Sequence, residues 1–141
     1  MASRQIQEAK AYVTIGSPSD PRHIVKLIGD SALAAIEGAG EAEVNLEGRI
    51  FRIKQQFLHD AAEQRVLAQV RTLAKPLLIM HAPGDRTVPI EHATALFQAA
   101  AHPKSFLSLG DADHLVTDKA DAEFIADVIA SWSGRYIEMV E

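Results

Sequence analysis

Leu77-Leu-Ile-Met80 is an unbroken apolar run, and it leads directly into the loop His81-Ala-Pro-Gly-Asp85-Arg-Thr-Val-Pro89. A strand that is apolar at every position is typical of a parallel sheet covered on both faces. The Pro-Gly-Asp sequence inside the loop is typical of a turn. This stretch therefore predicts a buried parallel strand of an α/β domain, followed at its carboxyl end by a carboxylate, Asp85.

A second strand and loop repeat this arrangement. The run Phe106-Leu-Ser-Leu109 precedes the loop Gly110-Asp-Ala-Asp-His114, and a helical stretch separates the two strands. Neighbouring parallel strands end at the same edge of a sheet, so Asp85 and His114 can share a hydrogen bond that orients the imidazole as a general base. The pattern predicts two of the three groups of a nucleophile–His–acid triad. A Gly-x-Ser-x-Gly nucleophile elbow, which would supply the third group, occurs nowhere in the sequence.

The composition is that of one globular domain over residues 1–141. Apolar residues make up 48% of the chain and the net charge is −5, which argues against nucleic acid or an anionic membrane as a partner. Cysteine is absent, which excludes disulfides, thiolate metal sites and a Cys nucleophile. No run is long enough to span a membrane, and the N-terminus has no apolar signal region. We expect a cytoplasmic domain without a cofactor.

Strands and helices alternate as expected for a parallel sheet with crossover helices. In the first half of the chain the sequence predicts the end of a helix at Ser3 to Ala9, a strand at Tyr12 to Ile15, and a helix from an Asp20 N-cap and Pro21 to Gly38. A hairpin of Glu43 to Leu46 and Ile50 to Ile53 follows, and then a helix from about Gln55 to Leu73. In the second half it predicts the strand at Leu77 to Met80, a helix over Ala93 to Ala100, the strand at Phe106 to Leu109 and a helix from about Lys119 to Tyr136.

From Tyr12 onward the chain resembles the C-terminal half of an α/β-hydrolase. The resemblance is carried by Lys75-Pro-Leu-Leu-Ile-Met-His-Ala-Pro-Gly-Asp85-Arg-Thr-Val-Pro-Ile90, by His102-Pro-Lys-Ser-Phe106 and by Asp113-His114-Leu115. The amino-acid sequence is most similar to the hydrolase part of bacterial α/β-hydrolase–OsmC fusion proteins. The resemblance implies a partial α/β-hydrolase fold: a small parallel sheet equivalent to strands 6, 7 and 8, flanked by helices, with a cap-like hairpin and helix inserted at about residues 41–73.

The resemblance also implies an activity of esterase type. Asp85 matches the family's triad acid and His114 its triad base. The family's nucleophile elbow precedes strand 6, so the serine and the oxyanion-hole amides would lie outside this chain. Either the gene is truncated, the expressed sequence was cut, or the missing half comes from elsewhere. We expect a hydrolase that is inactive alone and acts on a small ester when complemented; the alternative is a non-catalytic, dimeric interaction module.

Several of these residues have simpler interpretations. Asp85 could cap its own turn, and His114 could donate a local hydrogen bond. His81 is expected to contact backbone carbonyls only. Asp111 and Asp113, taken with these histidines, match no metal-loop spacing, so no metal is expected.

Two further features of the sequence also bear on the proposed site. Ser17 and Ser19 make poor substitutes for the missing nucleophile, because a proline lies between them and they lack the glycine partners of an elbow. Ser105 and Ser108 lie at or inside the last predicted strand. The apolar side of the helix around Phe57 fits the lining of a substrate pocket and plain packing equally well.

The predicted sheet has an open edge. In α/β-hydrolases strand 6, which Tyr12 to Ile15 resembles, pairs with strand 5. Without strand 5, Tyr12 to Ile15 would expose backbone donors and acceptors beside apolar side chains. Such an edge favours pairing with another chain. We therefore expect a homodimer that joins through the first strand or through the helices around it.

Overall fold

The computed structural model describes residues 8–137, so most of the helix end predicted at Ser3 to Ala9 lies outside the described residues. In chain order the elements are β1 (Tyr12–Ile15), α1 (Arg22–Ile28), α2 (Asp30–Ala39), β2 (Glu41–Leu46), β3 (Arg49–Lys54), α3 (Gln55–Glu63), α4 (Val66–Arg71), β4 (Leu77–His81), α5 (Glu91–Ala99), β5 (Lys104–Ser108) and α6 (Lys119–Ser133). Across residues 8–137, no helix is long and apolar enough to cross a membrane.

The chain divides into two units. One consists of the chain up to Ser19 together with the chain from Val66 onward, and the other is Asp20–Arg65. The second unit overlaps the insertion predicted at about residues 41–73, but it begins and ends earlier. The assignment of residues 1–141 to one domain stays a prediction.

The first unit is built on a three-stranded parallel sheet with the order β1-β4-β5. β4 is the middle strand: Ile79 lies opposite Thr14 of β1 on one side and opposite Phe106 of β5 on the other. The predicted strands and their parallel arrangement are confirmed. The carboxyl ends of β4 and β5 consequently meet at one edge of the sheet.

Apolar clusters cover both faces of β4, because successive side chains of a strand point to opposite faces. Leu77 and Ile79 belong to a cluster that includes residues of α4 and α5. Leu78 and Met80 belong to a second cluster that includes residues of α6. Every residue of β4 is buried. This packing fixes the end of β4, from which the loop with the predicted acid begins.

The second unit contains the hairpin of β2 and β3, which confirms the prediction around Glu47-Gly48. Its apolar core is formed by Ile28, Ile36 and Val44. The prediction of one continuous helix before the hairpin is wrong. The helix is broken at Gly29, whose φ of 82° and ψ of 151° are not helical and are accessible to glycine at little cost.

The start of the first helix also differs by one residue from the prediction. Asp20 was expected to be its N-cap, whereas the cap position is occupied by Pro21 and α1 begins at Arg22. Asp20 still contributes to this helix end, since its Oδ1 accepts the backbone N–H of Arg22 at 3.0 Å. The difference of one residue is the usual uncertainty of a helix boundary.

The single helix predicted from about Gln55 to Leu73 is wrong for a different reason. The structure has two helices, α3 and α4, separated by Gln64, which is extended. Phe57 packs against the core of the second unit, whereas Val66 and Val70 belong to the core of the first unit. One apolar periodicity in the sequence therefore serves two separate cores, and no glycine or proline marks the break.

We expect Ile79→Ala to lower the free energy of unfolding by about 2–5 kcal/mol, because it removes buried atoms and leaves a cavity. Ile79 is 0% exposed. The matched control is Ile50→Ala, since Ile50 is 70% exposed and its truncation should change stability by no more than about 0.5 kcal/mol. Urea unfolding followed by circular dichroism measures both, and equal losses would contradict the packing described here.

Candidate active site

The Asp85 carboxylate lies in the loop after β4 and is held by backbone amides. Its Oδ1 accepts the N–H groups of Thr87 and Val88, each at 2.9 Å. The side chain is only 1% exposed. A carboxylate with this many fixed donors has a defined orientation, and its second oxygen, Oδ2, remains available for another partner.

His114 lies in the loop after β5, and its ring contacts that second oxygen. His114 Nδ1 is 2.7 Å from Asp85 Oδ2, and the histidine side chain is 23% exposed. An ionised carboxylate only accepts hydrogen bonds, so Nδ1 carries the proton and Nε2 of the neutral ring keeps its lone pair. The pair predicted from the sequence is thus brought together in the geometry of an imidazole base with an orienting acid.

The charge on Asp85 is set by opposing effects. Burial removes water from the carboxylate and raises its pKa. The hydrogen bond from His114 and those from the amides of Val88 and Thr87 act in the opposite direction and outweigh burial, so the pKa of Asp85 lies below its ordinary value. Asp85 is therefore ionised at neutral pH.

Gly16, directly after β1, completes the surroundings of the pair. A Cβ atom added at Gly16 would lie 3.3 Å from His114 Nδ1 and 3.6 Å from Asp85 Oδ2, and the residue has a φ of +54°. Its N–H donates to the carbonyl of Met80 at 3.0 Å. From the sequence Gly16 was only a strand breaker. Its closeness to His114 has no local sequence signal, because it depends on the order of the strands in the sheet.

Two other polar residues of these loops, His81 and Asp113, contact groups other than His114. His81 Nε2 lies 2.7 Å from the carbonyl oxygen of Val88, which confirms its predicted contact with the backbone. The prediction that it contacts carbonyls only is wrong, because Nε2 also lies 3.7 Å from Asp85 Oδ2. Asp113 accepts hydrogen bonds from the backbone N–H and the hydroxyl of Thr117. The hydroxyl bond is the main cause of the lowered pKa of Asp113. Asp113 is thus engaged with the turn that follows His114.

The serines considered from the sequence are all engaged with groups other than His114. Ser19 is the most notable, because its Oγ lies 2.9 Å from Nδ1 of His92 and its N–H donates to the same nitrogen at 3.1 Å. This contact links the segment after β1 to the first turn of α5. The remaining contacts join Ser17 Oγ to Pro18 O, Ser105 Oγ to Trp132 Nε1, and Ser108 Oγ to the Gly110 amide.

Comparison with solved structures identifies the fold. An esterase domain of a Rhodothermus marinus protein is 46% identical to this chain with a TM-score of 0.82, over 96% of this chain. The mouse alpha/beta hydrolase domain-containing protein 10 covers 95% of the chain at 20% identity with a TM-score of 0.68. The chain has a partial α/β-hydrolase fold. A monoacylglycerol lipase of Paleococcus ferrophilus, at 16% identity and a TM-score of 0.67, shows the same hydrolase fold.

The chain spans little more than half of these hydrolase domains. It covers 55% of the Rhodothermus marinus domain, 56% of the mouse protein and 63% of the lipase. A scan against protein-family models finds no match, and a search of curated proteins finds none. The sequence-based resemblance to an α/β-hydrolase is thus confirmed by structure, while the similarity to OsmC fusion proteins stays a prediction.

We expect Gly16→Ala to destabilise the chain by about 1–2 kcal/mol, because an alanine at positive φ is strained and its Cβ would contact the His114 ring. The matched control is Gly84→Ala in the Asp85 loop, where an added Cβ meets nothing within 4 Å. Chemical unfolding measures both variants, and NMR of the His114 ring should show a shift in Gly16→Ala only. A Gly16→Ala chain as stable as the control would show that the close approach is wrong.

The lowered pKa of Asp85 predicts a pH-dependent contribution to stability. The ionised carboxylate stabilises the folded chain above the unfolded-state pKa of about 3.9, and this stability is lost as the pH falls through the lower pKa of the folded state. The difference in unfolding free energy between the unaltered chain and Asp85→Asn should therefore be larger at about pH 5 than at about pH 3. Urea unfolding across this range tests it, with the exposed Asp111→Asn as control; a constant difference for Asp85→Asn would contradict the assignment.

Proposed function

We propose that this chain supplies the acid and the base of an esterase-type serine hydrolase, with His114 as general base and Asp85 as the acid that orients it. The observation that carries the proposal is the 2.7 Å hydrogen bond between His114 Nδ1 and the buried Asp85 carboxylate. It leaves His114 Nε2 as the proton acceptor on a ring that is still partly exposed.

In the proposed reaction, His114 Nε2 takes the proton of a serine hydroxyl while the serine oxygen attacks the ester carbonyl. The imidazolium that forms is stabilised by the ionised Asp85. It then gives the proton to the departing alkoxide, which leaves an acyl-serine and a free alcohol. Water attacks the acyl-serine with the same histidine as base, and the products are a carboxylic acid and the regenerated serine.

The serine and the oxyanion donors are assigned to a polypeptide segment outside this chain, and the chain alone is proposed to be inactive. The order of the strands supports a position for that segment beside β1. The carboxyl ends of parallel strands lie at one sheet edge, and Gly16, at the end of β1, approaches His114 closely. A strand added in parallel along the outer edge of β1 would therefore end beside the base.

A small ester substrate and a cytoplasmic location are part of the same proposal.

A chimera tests this function. The chain is fused to the part of the Rhodothermus marinus esterase domain that it does not match, and hydrolysis of a p-nitrophenyl ester is measured. We expect His114→Ala to lower kcat by roughly a million-fold and Asp85→Asn by roughly ten-thousand-fold, since each removes one member of a triad. His59→Ala, an exposed histidine of the second unit, is the matched control.

The isolated chain provides a complementary test. Treatment with a fluorophosphonate serine-hydrolase probe, followed by intact-mass analysis, is expected to give no adduct. An adduct that disappears in His114→Ala would show that the chain holds its own activated serine and would contradict the assignment of the serine to another segment. A folded, active chimera that is indifferent to His114→Ala would contradict the proposed base.

A dimeric, non-catalytic module is the second candidate, and the outer edge of β1 favours it. The amides of Tyr12 and Gly16 donate to the chain around β4, so those of Val13 and Ile15 face away from it. Within residues 8–137 no strand pairs with this edge, and Ile15 is 42% exposed. These features support a homodimer formed through β1.

Light scattering after size exclusion at tens of micromolar tests the dimer. We expect a dimer for the unaltered chain and a shift toward monomer for Ile15→Glu, because a charge beside the paired edge would be desolvated. Ile50→Glu, at an exposed position of the hairpin, is the matched control. A strictly monomeric chain would rule out the homodimer.

A further inference from the structure

His81 is a buried histidine at the end of β4 that the proposed reaction does not use. Its side chain is 0% exposed, and its Nε2 lies 2.7 Å from the carbonyl oxygen of Val88 and 3.7 Å from Asp85 Oδ2. The other ring nitrogen, Nδ1, is buried and has no hydrogen-bond partner within the described part of the chain. Both of these contacts of the ring therefore go to the loop that holds Asp85.

The direction of these hydrogen bonds follows from the chemistry of the groups. A carbonyl oxygen only accepts hydrogen bonds. Nε2 of His81 therefore carries a hydrogen and donates a hydrogen bond to the carbonyl oxygen of Val88. Val88 in turn donates its N–H to Asp85 Oδ1 at 2.9 Å. Asp85 Oδ2 accepts the Nδ1–H of His114 at 2.7 Å. Three hydrogen bonds thus connect the buried ring of His81 to the ring of His114.

The carbonyl oxygen of Val88 relies on the Nε2–H of His81 as its hydrogen-bond donor. The next residue is Pro89, and Val88 itself is 1% exposed, so the carbonyl lies in a region with little water. A buried carbonyl without a partner is costly, and the loop would move to find one. An apolar residue of similar size at position 81 would fill the space but would leave this requirement unmet.

We propose that His81 is a positioning residue for the Asp85–His114 pair: its Nε2–H fixes Val88, and the Val88 amide fixes the carboxylate that faces His114. The catalytic consequence rests on the proposed function, because it matters to a reaction only if His114 is the base. His81 itself does not contact the reacting atoms.

The test measures the pKa of the Asp85 carboxyl by ¹³C NMR in the full chain. Two variants remove the donor: His81→Leu keeps an apolar side chain of related size, and His81→Asn carries an amide too short to reach Val88. His81→Gln keeps a side-chain N–H near the position of Nε2. Ile79→Val, on the same strand and equally buried, is the control for a small packing loss.

We expect the pKa of Asp85 to rise toward its ordinary value in the Leu and Asn variants, because the carboxylate loses a well-placed amide and the nearby Nε2–H. The Gln variant and Ile79→Val should keep the pKa of the unaltered chain. An unchanged pKa in a folded Leu or Asn variant would overturn the proposal. Should both fail to fold, His81→Gln decides: an unaltered pKa supports the donor role, and a raised one overturns it.

A separate variant distinguishes this proposal from the proposed function. His114→Ala removes the ring and every side-chain donor from Asp85 without touching His81 or Val88. If it leaves the pKa of Asp85 unchanged, the acid–base pair fails, whatever the His81 variants give. In the chimera, a positioning role predicts that His81→Leu lowers kcat with little change in KM, and that His81→Gln restores kcat.

Discussion

Strand β4 has a neighbouring strand on each side and an apolar cluster on each face. Its backbone hydrogen bonds are therefore made within the sheet, and its side chains leave it little freedom to slide or rotate. The loop after β4 therefore starts from a fixed backbone position. The positions of His81 and Asp85, and through Asp85 the orientation of His114, depend on the burial of this one strand.

The hydrogen-bonded pair of Asp85 and His114 lies entirely within the first unit. Asp85 takes two backbone amides on one oxygen and His114 on the other, so the carboxylate has its partners before any substrate or further segment arrives. Preorganised groups of this kind do not have to be reoriented at the moment of reaction. The proposed hydrolase would therefore require from its other part a serine, oxyanion donors and contacts with β1, but no rearrangement of Asp85 or His114.

The sequence predicted those features that depend on local pattern. The all-apolar run at Leu77 to Met80 and the loop chemistry around Asp85 and His114 were sufficient for the parallel sheet and the pair. The breaks at Gly29 and Gln64 were missed. At Gln64 the apolar periodicity continues although the residues before and after it pack in different cores, which only the assembled structure separates. At Gly29 the residues before and after the break share one core, and the break follows from the backbone conformation of the glycine.

Contacts between segments far apart in the chain were also beyond the sequence. Gly16 approaches His114 because β1 lies next to β4, and strand order is a property of the whole sheet. The link from Ser19 to His92 is of the same kind, since it joins the segment after β1 to α5. His81 was expected to contact the backbone, but its connection to Asp85 through Val88 required the path of the loop.

The unit Asp20–Arg65, which follows β1 and precedes α4 in the chain, has a consequence for how such proteins diversify. This unit has its own apolar core of Ile28, Ile36 and Val44, and none of these residues supplies a hydrogen bond to Asp85 or His114. The core of this unit and the hydrogen bonds that orient Asp85 and His114 therefore depend on different residues. For the proposed hydrolase, we expect that this core can change over successive generations while the hydrogen bond between Asp85 and His114 is inherited unchanged.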